Sequence, residues 1–95
     1  MAEYRITYWR DIPSMVTARE EGGGTAKVAL PDRFQEAIDE AAMNLGLAGS
    51  DAYLEQWHHG EWERAEGTPD ELVATLSEQL DNDYDAARLE SLLEV

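Results

Sequence analysis

Apolar and polar residues alternate in the first third of the chain, as strands with one buried face require. Tyr4, Ile6 and Tyr8 would point to one side of an extended chain, and Arg5 and Thr7 to the other. Two further short stretches rich in Val, Thr and Ala follow a turn and a glycine run. These patterns predict strands near residues 3–10, 14–20 and 26–30, with a fourth candidate strand at 61–66.

Residues 11–14 predict the turn of the first hairpin. Pro13 fixes its own φ at about −65°, and Asp11 and Ser14 can hydrogen-bond to nearby backbone groups. Ile12 is the large apolar residue of this turn, so we expect it to pack partly inward.

Apolar positions between residues 32 and 45 recur every three to four residues, which predicts a helix with one buried stripe. Asp32 and Gln35 have the spacing of a capping box at its start. Gly46 suits a Schellman motif at its end. The stripe comprises Phe34, Ala37, Ile38, Ala41, Ala42 and Leu45.

A second main helix is predicted at 69–81. Thr68 can cap its first turn, Pro69 suits its first position, and Glu71 completes a capping box. Leucines and a valine at helical spacing supply its apolar stripe.

Two shorter helices complete the prediction. One is expected near 51–58, although the alternation of Tyr53 and Trp57 also fits a strand. The polar run 81–83 ends the second main helix, and Asp83, its last residue, can cap a last helix at 84–93.

These elements predict one α+β domain over residues 1–95, a small antiparallel meander packed against two main helices. The chain is 43% hydrophobic, which is too apolar for a disordered acidic tail. It has no cysteine, so disulfides and cysteine-ligated metals are excluded. No apolar run approaches the roughly 20 residues that span a bilayer, and we expect a cytoplasmic protein that does not contact a membrane.

The charge is strongly negative, with 21 acidic against 7 basic residues and a net charge of −14. Such a surface repels a phosphate backbone, so we expect no nucleic-acid partner. The acids are spread along the chain, which favours a general solvation trait, as in a salty cytoplasm, over a binding face for a basic partner.

His58 and His59 are the residues that most resemble metal ligands. Adjacent histidines diverge by about 100° on a helix and about 180° on a strand, so they rarely share a metal. Glu55 and His59 would be four apart on a helix, but they supply only two ligands. No serine stands in a nucleophile-elbow sequence. We therefore expect no metal, no cofactor, no catalytic residue and no enzymatic activity.

Several short blocks resemble a small bacterial domain family called "virulence factor". The clearest is Tyr8-Trp9-Arg10-Asp11-Ile12-Pro13, in which two aromatics and a cation precede a proline. Larger members carry this domain beside an Nfu-type amino-terminal domain and HEAT-like helical repeats, which implies a scaffolding role. The sequence shows neither neighbour, so no cluster-carrying role follows. The other blocks are Leu30-Pro31-Asp32-Arg33-Phe34, Gly49-Ser50-Asp51-Ala52-Tyr53-Leu54 and Tyr84-Asp85.

Trp9, Arg10, Ile12 and Pro13 form the candidate interaction patch of the sequence. Trp9 lies on the strand face opposite the apolar one, and an open face would leave a compact patch of the type enriched at protein interfaces. If a helix or the segment around Trp62 covers that face, the same residues are ordinary core.

Two functions compete at this point. The leading hypothesis is a non-enzymatic interaction or scaffold module that binds a protein partner through this patch. The alternative is a small accessory or ligand-binding protein in one-carbon or cofactor metabolism, with a pocket between the sheet and Trp57.

The net charge generates a first prediction. Repulsion among the acids works against the compact state, and molar salt shortens the Debye length to about 3 Å. We expect the melting temperature to rise from low to molar potassium chloride, measured by circular dichroism. A flat or falling curve would show that the acids are locally paired.

Overall fold

An antiparallel sheet of five strands forms the centre of the computed structural model, which describes residues 2–47 and 49–93. The sheet order is β3-β2-β1, and the two shortest strands pair with the other edge of β1, one after the other along its length. The prediction of an α+β meander is confirmed. The candidate strand at 61–66 is observed as the last strand of the sheet, over residues 63–65. The strands are β1 (Ala2–Trp9), β2 (Ile12–Glu20), β3 (Thr25–Ala29), β4 (Trp57–His59) and β5 (Glu63–Ala65).

One face of this sheet is covered by a helix. Ile6, Val16 and Val28 lie side by side on β1, β2 and β3, and they pack in one hydrophobic core with Leu72 and Val73 of the third helix. That helix contacts all three long strands. The helices are α1 (Asp32–Asn44), α2 (Asp51–Glu55), α3 (Pro69–Asp83) and α4 (Ala86–Leu92).

None of the helices within the described residues is long and apolar enough to cross a membrane. This holds for α3, the longest of them, which has 15 residues.

The first hairpin turns earlier than the sequence suggested. Arg10 and Asp11 alone connect β1 to β2, and Arg10 adopts a positive φ of 53°. Pro13 lies inside β2 opposite Tyr8, at a register shift next to Ser14. A bulge accommodates Pro13 because proline has no N–H to donate to the ladder. The predicted turn at 11–14 is therefore wrong.

The loop between β2 and β3 is open and glycine-rich. Gly22 and Gly23 have φ values of 120° and 106°, which other residues rarely adopt. The backbone N–H of Glu20 donates to the carbonyl of Gly24 at 2.8 Å and closes the loop.

The end of α1 confirms the predicted Schellman motif. Gly46 has a φ of 71°, and its N–H donates to the carbonyl of Met43 at 3.0 Å. The N–H of Leu47 donates to the carbonyl of Ala42 at 2.8 Å, the second bond of the motif.

The predicted capping box at the start of α1 is wrong, because Pro31 takes the capping position and Asp32 lies within the first turn. The start of α3 is as predicted. The hydroxyl of Thr68 accepts a hydrogen bond from the backbone N–H of Glu71 at 3.2 Å, and Pro69 occupies the first turn.

The two shorter helices differ from their predicted ranges. The helix predicted at 51–58 ends at Glu55, because the following residues pair with β1 as β4. Helix α3 continues to Asp83, and Asp85 caps α4 by accepting from the N–H of Arg88 at 2.8 Å. Asp83 is therefore not the cap.

The burial of Ile12 generates the second prediction. Ile12 is 2% exposed, so Ile12→Asp places an unpaired charge in the core and should lower the free energy of unfolding by about 2–4 kcal/mol. Met43→Asp is the control, because Met43 is 70% exposed and should cost about 0.5 kcal/mol or less. Equal urea midpoints for the two variants would contradict the packing described.

Candidate functional site

The candidate patch of the sequence is mostly core. Trp9 is fully buried, Ile12 is 2% exposed and Pro13 belongs to the fully buried residues; only Arg10 is exposed. The indole N–H of Trp9 donates to the carbonyl of Tyr53 at 2.9 Å, and the two rings lie 5.5 Å apart. Helix α2 thus covers Trp9, and of the two alternatives for this face the covered one holds for Trp9, Ile12 and Pro13.

A small cleft remains beside these residues. Trp9 and Ile12 line it together with Ala41 of α1, Leu45 directly after that helix and Leu92 of α4, and it encloses about 120 Å³. Typical ligand pockets enclose about 300–1,000 Å³. The cleft is too small to hold an ordinary metabolite.

Arg33 joins α1 to the end of α3. Its guanidinium donates to the carboxylate and to the backbone carbonyl of Asp81, each at 2.6 Å, and to the carbonyl of Tyr84. Phe34 packs edge-on against the ring of Tyr84, with centroids 6.3 Å apart. These bonds satisfy carbonyls at the end of α3, so Arg33 is committed to holding the fold.

The sheet face opposite α3 gathers the basic residues. Strand pairing places Glu3 beside Arg19 of β2 and beside Arg64 of β5, and Arg5 and Lys27 flank Thr17 from opposite sides. Arg5, Arg19, Lys27 and Arg64 therefore lie on one face, which we call the basic face. Four of the seven cations of the chain are found there.

Acids are sparse on the same face. Among the described strand residues, Glu3 is the acid that shares it, and its carboxylate lies 3.6 Å from the guanidinium of Arg19. Glu20 and Glu63 are in register with Ala2 and Tyr4, so they point to the opposite side. Among the described strand residues, the basic face thus carries four cations and one acid, while Glu20 and Glu21 border it beside Arg19 and Arg64.

Trp62, in the segment between β4 and β5, supports the centre of the basic face. The guanidinium carbons of Arg19 and Arg5 lie 3.8 and 4.6 Å from the centroid of its ring. The Nε of Arg5 is buried without a hydrogen-bond partner. The electron-rich ring faces the guanidinium groups of both arginines, attracts them by cation–π interactions and restricts their positions.

Tyrosines occupy the opposite face of β1. Hydrogen bonding to the Glu63 carboxylate, and then burial, raises the pKa of Tyr4 above 10. Burial, with a smaller contribution from Tyr84, raises the pKa of Tyr8 in the same direction. Both hydroxyls therefore stay neutral at physiological pH, and these tyrosines add no charge to that side of the sheet.

The two histidines point to opposite faces of β4. The ring of His59 shares a hydrogen bond of 2.9 Å with the hydroxyl of Thr7. His58 stacks on Tyr8 with centroids 5.5 Å apart, and its Nε2 lies 2.8 Å from the carbonyl of Arg10. Within residues 2–47 and 49–93, no three acidic or histidine side chains come together in a way that could hold a metal ion.

The fold is that of a small α+β domain, in which α3 covers one face of the sheet and the other face carries the basic residues. The sequence model of the virulence factor family matches residues 7–93, and the chain belongs to that family. No curated protein and no solved structure matches the chain.

The basic face was missed although part of its signal is in the sequence. Arg5, Arg19 and Lys27 all occupy odd-numbered positions of predicted strands, and the hairpin register aligns them on one side. Trp62 and Arg64 carried no such signal, because only the pairing of β5 with β1 brings them there.

The Trp62 stack generates the third prediction. A double-mutant cycle of Trp62→Leu with Arg19→Met should give a coupling of about 0.5–1 kcal/mol in urea unfolding, since the pair is partly exposed. Lys27→Gln replaces the arginine change in the control cycle and should be additive with Trp62→Leu. Equal coupling in both cycles would argue against the stack.

Proposed function

We propose that this protein is a non-enzymatic interaction module that binds an acidic surface or segment of a protein partner through the basic face. The observation that carries the proposal is the concentration of four of seven cations on one sheet face of a chain with a net charge of −14. A general solvation trait accounts for the acids, but it does not account for the clustering of the cations.

The overall negative charge is compatible with an acidic partner. The exposed acids of α3, such as Glu78, belong to the helix on the other side of the sheet. A helix with its side chains is about 10–12 Å wide. The Debye length is only about 8 Å at physiological ionic strength, so a partner at the basic face is largely screened from those acids.

The composition of the basic face suits recognition. Tryptophan and arginine are the residues that most often dominate binding energy at the centre of protein interfaces. Trp62 is half-buried, lies in the short segment between β4 and β5, and contacts two guanidinium groups. Its side chain therefore has little conformational entropy left to lose on binding. Arg19, Lys27 and Arg64 are exposed around it and can pair with carboxylates.

An interaction module is also favoured over the alternative of a ligand-binding accessory protein. The cleft beside Trp9 encloses about 120 Å³, and Trp57 itself packs against the ring of Tyr53 at 6.3 Å. A depression of about 310 Å³ on the basic face is lined almost entirely by charged side chains, among them Arg19 and Arg64. Metabolite pockets are mostly apolar, so this surface fits a macromolecular partner better.

The test uses poly-glutamate as a defined acidic probe at physiological salt. Combining Arg19→Gln with Lys27→Gln should weaken binding about tenfold, because each pair with a carboxylate contributes up to about 1 kcal/mol. The matched control combines Glu36→Gln with Glu40→Gln on the exposed side of α1. It also removes two charges, but acidic ones away from the basic face, and it should leave binding unweakened.

Two results would overturn the proposal. One is equal binding by the wild type and the Arg19/Lys27 variant, with folding confirmed by circular dichroism. The other is stronger dependence on Glu36 and Glu40, which would make the acids the recognition surface.

A further inference from the structure

We infer that the partner contributes an extended, acidic segment that adds as a sixth strand to the free edge of β3. This inference rests on the proposed function and specifies how the acidic partner reaches the basic face. The experiment below separates a failure of strand addition from a failure of the basic face.

The backbone groups of β3 point alternately toward β2 and toward the free edge, and the bonds to β2 show which residues point inward. The carbonyl of Ser14 accepts from the N–H of Leu30, and the carbonyl of Gly24 accepts from the N–H of Glu20. Because hydrogen-bonded pairs recur at every second position of an antiparallel ladder, Ala26 and Val28 also bond toward β2.

The three remaining residues of β3 therefore direct their N–H and carbonyl groups away from the sheet. These residues are Thr25, Lys27 and Ala29, and all three are exposed. In the sheet order β3 is the outermost strand on its side. A row of such groups is a template for another extended chain.

The side chains at this edge specify the charge of the added strand. Lys27 points to the basic face, so a residue directly opposite it on a sixth strand would lie on that face, with Cβ atoms about 4.5–5.5 Å apart. A carboxylate there pairs with Lys27, the single lysine of the chain. The residues on either side of that carboxylate would face the α3 side, beside half-buried Ala26 and Val28.

Lys27 also favours acidic strands over other strands at this edge. A lysine on an edge strand discourages indiscriminate strand pairing. The same charge favours a strand that presents an acid opposite to it, because opposite charges in such a cross-strand pair attract. The expected docking segment thus alternates acidic and small apolar residues over about five positions, the length of β3.

The experiment uses a fluorescein-labelled peptide of alternating Glu and Val as its probe. Ala29→Pro removes one outward N–H and should weaken binding about fivefold, which corresponds to about 1 kcal/mol for one hydrogen bond. Ala29→Ser keeps that N–H and is the matched control. Thr25→Pro, at the other end of the edge, repeats the test if Ala29→Pro fails to fold.

A second measurement reads the edge directly in the wild-type protein. Bound peptide should slow hydrogen exchange at the outward amides of Lys27 and Ala29 and leave that of Val28 unchanged, since Val28 already bonds to β2. A peptide of the same sequence in which every backbone nitrogen is methylated keeps the charge but cannot donate backbone hydrogen bonds, and it should not protect them.

The outcomes separate the two claims. Weakening by Arg19→Gln with Lys27→Gln, but none by Ala29→Pro or Thr25→Pro, would retain the basic face and overturn strand addition. No binding of any acidic probe would overturn both. A dimer in sedimentation that Ala29→Pro dissociates would show that the edge pairs with a second copy instead.

Discussion

The burial of Trp9 is the constraint on which the rest of this structure depends. A buried indole must place its N–H on an acceptor, and here the acceptor is the backbone carbonyl of Tyr53. The segment that carries Tyr53 is therefore drawn over the end of the first hairpin. From there the chain reaches the free edge of β1 as β4 and then β5, which brings Trp62 and Arg64 to the other end of the same face. One end of this face thus becomes core, while the other stays open and basic.

Sequence predicted the parts of the fold whose causes are local. The cap at Thr68 and the ending at Gly46 depend only on neighbouring residues, and both were predicted. The errors arise where a distant segment decides. Helix α3 continues through the polar run 81–83, where Arg33, far away in sequence, donates hydrogen bonds to the carbonyls of Asp81 and Tyr84. Residues 57–59 become a strand because β1 offers them an edge. The burial of Trp9 could not be predicted from the alternation of apolar and polar residues. That alternation shows to which side of the strand a residue points, but not which segment covers that side.

The four sequence blocks that resemble the family contact one another inside the protein. Trp9 of the first block binds Tyr53 of the third, and Arg33 and Phe34 of the second bind Tyr84 of the fourth. The residues that carry the resemblance are therefore residues whose contacts close the fold. The residues of the basic face, by contrast, lie outside all four blocks. The contacts that close the fold and the charge of the open sheet face therefore depend on different residues of this chain.

The glycine loop between β2 and β3 has a consequence for how this chain can change in length. A side chain added at Gly22 or Gly23 would meet no atom within 4 Å. The loop is closed below them by the bond from the N–H of Glu20 to the carbonyl of Gly24 and by the bond from the N–H of Gly23 to the carbonyl of Glu20. Doubling the length of a flexible loop costs only about 0.6 kcal/mol in closure entropy. The two-residue connection through Arg10 and Asp11 does not tolerate extra residues in the same way. A single added residue there would shift the register that pairs Trp9 with Ile12. Insertions, fused domains and the new termini of a circular permutant therefore belong at Gly22–Gly23.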